Sequence, residues 1–243
     1  MAISNHKRYN IYMPEPTVNP LTSEEIQRAC SLLYTNENQE RVCRINEEIS
    51  QGLELIGRFP KKVTFFGSAR FKEDHPEYQK ARNLAYRLVK ELEYTVVTGG
   101  GHGIMEAANR GAKEAGGNSV GVNIKLPKEQ VTNPYVTQVI PFQYFFTRKV
   151  VLSFASRMYI YFPGGYGTID EFYEILTLVQ TAKINKVPIV CVGAYFWETL
   201  DNHIHHGLML PAGTIDEADT SLYTITDDEE TIMEIARSAQ ARK

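Results

Sequence analysis

The sequence predicts an α/β protein: a doubly wound, mostly parallel sheet with helices on both faces, preceded by a helical N-terminal extension. Three observations carry that expectation. From Lys62 onward, short apolar runs alternate with longer amphipathic ones, the order that strands and crossover helices follow in a parallel sheet. Two strand-to-helix junctions are glycine turns, Thr98-Gly99-Gly100-Gly101-His102-Gly103-Ile104-Met105-Glu106 and Pro163-Gly164-Gly165-Tyr166-Gly167-Thr168-Ile169-Asp170-Glu171. Before about residue 58 the pattern differs, with glycine nearly absent and the apolar residues at helical spacing.

The elements follow in order. After a proline-bearing leader at 14–20, Ser23-Glu24-Glu25 opens a helical pattern that runs to Leu33. A second run, 40–56, carries Val42, Ile45, Ile49, Leu53 and Ile56 at three- and four-residue steps, so one apolar face needs a partner. That partner is either the main domain or a neighbouring subunit. Residues 1–58 thus form one region and 59–243 the other. In the second, strands are expected at 63–66, 94–98, 119–124, 137–140, 158–162, 189–192 and 222–225. Helices fill the gaps at 76–93, 104–116, 144–156, 169–183 and 196–206, and a capped helix closes the chain at 227–241.

Composition removes several function classes. At 243 residues the chain holds one full α/β core plus an appendage, and 43% hydrophobic residues suit a soluble globular protein. A net charge of −3 without a basic stripe leaves no footprint for nucleic acid. No apolar run reaches the roughly 20 residues that span a bilayer, and the polar start at 1–9 lacks the apolar region of a secretion signal. A cytoplasmic protein with a small-molecule ligand is expected. Cys30, Cys43 and Cys191 lack metal spacing, and Cys191, within an apolar strand, reads as a buried thiol. His203, His205 and His206 sit at a helix end without acidic or cysteine ligands at fixed spacing, so no metal is expected.

The glycine turns point to phosphate. Glycine lets the backbone take positive φ and bring its N–H groups close to a ligand, and a helix start favours negative charge. Two such turns in one parallel sheet place two helix N-termini at the carboxyl edge, where open α/β sheets bind ligands. Thr168 is expected both to cap its helix and to donate to a phosphate oxygen. The dinucleotide fingerprint Gly-x-Gly-x-x-Gly fails: counted from Gly99 or Gly101, its last position falls on Ile104 or Glu106. The strand at 119–124 also lacks the acidic residue that holds a ribose. No Gly-Lys pair occurs, so a triphosphate loop is disfavoured as well.

Two side chains could carry chemistry beside these turns. Arg148, near a helix start, is suited to hold a phosphate bidentately or to steady a ribose, although surface arginines at such positions are common. Glu171 is read as lying in the first turn of its helix, where the dipole alone would favour a carboxylate; a place at a reacting centre is the other reading. Glu106 stands in the same relation to the first glycine turn.

The segment Gly99 to Asn109, then Thr147-Arg148-Lys149, then Pro163 to Glu171 together resemble the LOG family, long labelled "lysine decarboxylase-like". The resemblance covers about 62–195, and the joint presence of both glycine motifs with the Arg-Lys pair is specific to it. It implies a Rossmann-like nucleotide-binding catalytic domain over 59–243. The implied activity is an N-glycosidase that cleaves the base–ribose bond of cytokinin riboside 5′-monophosphates or AMP, without a cofactor. By the same resemblance Arg148 and Glu171 are the catalytic pair. Gly100, Gly101, Gly103, Gly164, Gly165, Gly167 and Thr168 hold the 5′-phosphate. Phe66-Gly67-Ser68-Ala69-Arg70 matches a segment lining the nucleotide pocket, with Ser68 and Glu106 toward ribose and base. His102 departs from the pattern, since this branch often has proline there. The N-terminal extension and the Met105-Glu106 pair look like the longer branch, in which hexamers occur, whereas shorter members form dimers; a homo-oligomer is expected.

Physical chemistry agrees with that assignment. Loss of a base from ribose builds positive charge on the sugar, which a carboxylate beside C1′ stabilises while orienting water. The decarboxylase label would need a lysine for pyridoxal phosphate, usually beside a histidine, yet the only His-Lys pair is His6-Lys7 in the polar leader. A nucleotide or cofactor carrier on the same fold is the other alternative, because glycine turns bind without catalysing.

Overall fold

A computed structural model of the chain describes residues 36–125 and 131–239. The readings placed on the leader, on the helix at 23–33 and on Cys30 lie outside the described residues. The chain divides into two units, 1–44 and 45–243. In the first, the described residues are helical.

The second unit is a seven-stranded, all-parallel sheet. Its strands are β1 (Lys62–Phe66), β2 (Thr95–Thr98), β3 (Ser119–Ile124), β4 (Gln138–Phe142), β5 (Met158–Tyr161), β6 (Ile189–Cys191) and β7 (Thr224–Ile225). Their order across the sheet is β4-β3-β2-β1-β5-β6-β7. Val63 and Phe66 in β1 pair with Met158 and Tyr161 in β5. The central strands β1, β2 and β5 are buried almost throughout, as strands covered on both faces must be. β4, at one edge, alternates instead: Val139 is exposed and Ile140 buried.

The helices are α1 (Asn36–Gly57), α2 (Pro76–Leu92), α3 (Ile104–Glu114), α4 (Phe145–Ser153), α5 (Tyr166–Gln180), α6 (Ala194–His203) and α7 (Glu229–Ser238). Two apolar cores result, one on each face of the sheet. Phe65, Met158 and Phe162 pack with Tyr78, Leu88, Ile104 and Met233 of α2, α3 and α7. Phe66, Tyr159 and Tyr161 pack with Ile56, Leu152, Phe172 and Trp197 of α1, α4, α5 and α6. The doubly wound fold expected from the sequence is therefore the fold observed.

Several local features differ from expectation. The buried side of α1 includes Gly52 and Ile56, while Val42 and Leu53 are exposed. A Cβ on Gly52 would come within 2.6 Å of Val151 and 2.8 Å of Phe142, so glycine there lets α1 lie close against β4 and α4. The helix expected at 196–206 ends at His203 and continues as a π-helical turn, Ile204–Met209. Within that turn His206 is exposed and His205 lies 3.6 Å from Asp201. Cys191 is fully buried in β6.

Candidate active site

The strand order reverses direction between β1 and β5: the chain leaves β1 toward β2 and leaves β5 toward β6. At such a switch point the two following loops part and open a crevice at the carboxyl edge of the sheet. Here the crevice is a cleft of about 940 Å3. Gly67 to Phe71 line it from the β1 side and Pro163 to Glu171 from the β5 side, with Met105, Phe145, Arg148, Tyr195 and Phe196 completing the wall.

Close backbone contacts hold the two loops together. Ser68 N–H donates to the Pro163 carbonyl at 2.9 Å, and Ile104 N–H donates to the Ser68 carbonyl at 3.0 Å. Gly103 has φ 67°, and a Cβ there would stand 2.2 Å from the Ser68 carbonyl oxygen. Only glycine permits that approach. A Cβ on Gly164 would likewise meet Thr168 Oγ1 at 2.1 Å, whereas Gly165 and Gly167 have open space around them.

Helix α5 begins earlier than the sequence pattern suggests. Its N-cap is Gly165, and no side chain caps it, so Thr168 is not the cap. Thr168 is the third helical residue, buried over Gly164. Tyr166 and Gly167 add no apolar periodicity, which is why the pattern alone begins at Ile169. The first N–H groups of the helix are left for solvent or an anion. The shift also moves Glu171 into the second turn, so helix-start stabilisation does not account for it.

Glu171 is 8% exposed, and its Oε2 has no hydrogen-bond partner among the described residues. Burial pushes its carboxyl up to about 7, against the favourable charges of Arg148 and Lys149 and with the like charges of Asp170 and Glu174. Its own carbonyl accepts from Tyr161 OH at 3.1 Å, which ties this turn of α5 to β5.

Arg148 reaches the cleft from α4. Its Nε donates to the Val122 carbonyl at 2.9 Å, and burial lowers its guanidinium from the ordinary arginine range, with Glu171 acting in the opposite sense. A Cβ on Gly99 would stand 2.5 Å from Arg148 Nη2 and 2.8 Å from Met105 Sδ. Gly99 thus makes room for the guanidinium. The start of α4 is set from a distance by Glu48 of α1, which accepts from Gln143 N at 2.7 Å, Tyr144 N at 3.5 Å and Thr147 Oγ1 at 2.6 Å.

Of the residues expected at the site, Arg148, Glu171, Ser68, Gly164, Gly165, Gly167 and Thr168 line one cleft. Gly100, Gly101, Gly103 and Glu106 are not among its described lining residues. The first glycine turn is instead fastened to the loop before β4: the carbonyls of Gly100 and Gly101 accept from Asn133 N and Nδ2 at 3.0 and 2.9 Å. Glu106 is engaged by neighbours, accepting from Tyr78 OH at 3.2 Å and lying 2.9 Å from His102 Nδ1. Sequence reasoning missed Gly99, Glu48 and the apolar walls Met105, Phe145, Tyr195 and Phe196, because each acts through contacts distant in sequence. Among the described residues no group of three or more His, Cys, Asp or Glu is placed to hold a metal ion.

The family model described as "possible lysine decarboxylase" matches residues 105–236 of this chain. A cytokinin riboside 5′-monophosphate phosphoribohydrolase of Arabidopsis thaliana, LOG5, is 29% identical over 166 residues, which are 66% of this chain and 72% of that protein. The probable phosphoribohydrolase LOG6 of the same plant is 31% identical over 160 residues, 63% of this chain and 79% of its own length. Among solved structures, the molybdenum cofactor binding protein of Rippkaea orientalis superposes with a TM-score of 0.52 at 21% identity, covering 73% of this chain and 94% of that one; a likeness at that identity shows the shared fold. Both glycine motifs, a family match over more than half of the chain and relatives near 30% identity together place this chain in the LOG family.

Proposed function

We propose that the protein is a nucleoside 5′-monophosphate N-glycosidase, hydrolysing the base–ribose bond of cytokinin riboside monophosphates or AMP to free base and ribose 5-phosphate. The observation that carries this reading is Glu171: a buried carboxylate with an unpartnered oxygen, lining a switch-point cleft together with Arg148 and an uncapped helix start. The names of the relatives support the same chemistry.

The cleft divides the work. The N–H groups at the start of α5, with Thr168 and the loop at Ser68, take the 5′-phosphate. Anchoring this non-reacting end positions C1′ deeper in the cleft. As the C1′–N bond lengthens, its electron pair leaves with the base and positive charge grows on the ribose. Ionised Glu171 stabilises that charge and accepts a proton from the water that adds to C1′, while the departing base takes up a proton. Arg148 orients the substrate and balances the carboxylates.

The decarboxylase label does not fit these residues. A pyridoxal phosphate site needs a lysine to carry the cofactor, and among the described residues the cleft is lined by arginines and no lysine.

Purified protein incubated with AMP and with isopentenyladenosine monophosphate is expected to release free base and ribose 5-phosphate, read by chromatography. Binding of either nucleotide without release would replace the enzyme by a carrier.

A further inference from the structure

Lys149 stands next to Arg148 on α4 but does not line the cleft. Its Nζ donates to Asp170 Oδ2 at 2.8 Å and lies 3.5 Å from Glu174 Oε2. These two carboxylates bracket Glu171 on α5, one residue before it and three after. One ammonium therefore lies against both like charges beside the buried carboxylate, offsetting part of their repulsion, and joins the helix bearing Arg148 to the helix bearing Glu171. The Lys149 side chain is 20% exposed, against 62% for Asp170 and 40% for Glu174, so the ammonium is the sheltered end of each pair.

The charged and titratable groups facing Glu171 come from three elements. Arg148 and Lys149 reach it from α4, Asp170 and Glu174 from α5 itself, and Tyr161 from β5. Only the two α4 cations favour its ionised form, and Arg148 is the one that meets the cleft. That leaves Lys149 as the cation that acts on Glu171 from outside the cleft.

Resting on the hydrolase reading above, we propose that Lys149 is a positioning residue: its joint hold on Asp170 and Glu174 clasps α5 to α4 and presents Glu171 to the substrate opposite Arg148. The plain alternative is a helix–helix surface bridge that contributes little to stability and is silent toward the site.

The test uses the full chain carrying K149M, or K149Q should the methionine variant not fold, with K149R as the conservative control. Titration of Glu171 is followed by carbon NMR of glutamate-labelled protein, a readout that needs no turnover. Loss of the ammonium is expected to move the Glu171 midpoint above about 7. It is also expected to lower kcat for AMP about tenfold, with KM held within about twofold. K149R should restore both. An unchanged midpoint and kcat in K149M, or lost stability without a moved midpoint, would overturn the proposal. Failure of the hydrolase reading looks different: wild-type protein releases no base, yet the K149M midpoint still rises.

Discussion

At the scale of single residues, Glu171 ties stability to pH in a direction opposite to that of an ordinary paired carboxylate. Its carboxyl rises from 4.5 to about 7 on folding, chiefly through burial, so the folded state binds a proton more tightly than the unfolded chain. Below 4.5 both states are protonated and nothing is lost; as pH climbs through 7 the fold must carry a buried charge. The penalty at pH 8 is about 3 kcal/mol, at about 1.4 kcal/mol for each tenfold difference in proton affinity between the two states. Glu171→Gln is therefore expected to raise the melting temperature at pH 8, with the gain vanishing toward pH 4.5, in thermal melts across that range. The same variant should lose activity by about 100-fold or more, since it can neither accept a proton nor carry charge. A variant that is neither stabilised at pH 8 nor impaired would sink both the burial argument and the proposed role. The identity of this residue was legible in the motif, but its second-turn position and its burial were not. Periodicity marked Ile169 as the first helical residue, whereas the backbone turns helical at Tyr166.

At the scale of elements, the aim of Arg148 depends on how α4 is docked, and Glu48 does much of that docking. One carboxylate on α1 accepts from two backbone N–H groups and one hydroxyl at the start of α4, replacing a cap that the helix does not supply for itself. Glu48→Ala should cost about 1–2 kcal/mol, as loss of an N-cap does, and urea melts will read it. Faster hydrogen exchange in the first turn of α4 is expected alongside, with a fall in kcat greater than the change in KM. Unaltered exchange at 145–148 would show that α4 is held by its apolar contacts alone. Nothing in the helical run at 40–56 marked Glu48 among its neighbours, because its partners lie 95 to 99 residues away. Most element boundaries, by contrast, were legible to within two or three residues, since strand runs and glycine turns are local signals.

At the scale of the whole molecule, α4 also presents an apolar stripe. Phe146, Val150 and Phe154, four residues apart, are exposed by 52%, 37% and 52%, and Phe145 beside them is part of the cleft wall. Isolated exposed apolar residues need no explanation, but a contiguous helical stripe of this kind is where we propose that copies of the chain associate. Light scattering is expected to give a mass that is a multiple of 27.6 kDa, with the F146E/F154E double variant shifted toward the single-chain mass. A monomer in the wild type would remove the expectation of a homo-oligomer, and a dimer or hexamer would decide between the two branches of the family.

By itself the sequence determined the class of fold, the seven strands and their helices and the two glycine turns, all written in local terms: apolar period, turn chemistry and helix spacing. Arg148 and Glu171 stood out as a pair through the family resemblance. Only the tertiary structure decided which glycine turn faces the switch-point cleft. Strand order puts the turn after β5 at the switch point beside β1, while the turn after β2 is bound to the loop at Asn133. The physical reason is that strand order and burial arise from contacts between segments distant in sequence. The same holds for Glu171, whose carboxyl is pushed into the neutral range by burial and held back by the cations that α4 brings to it.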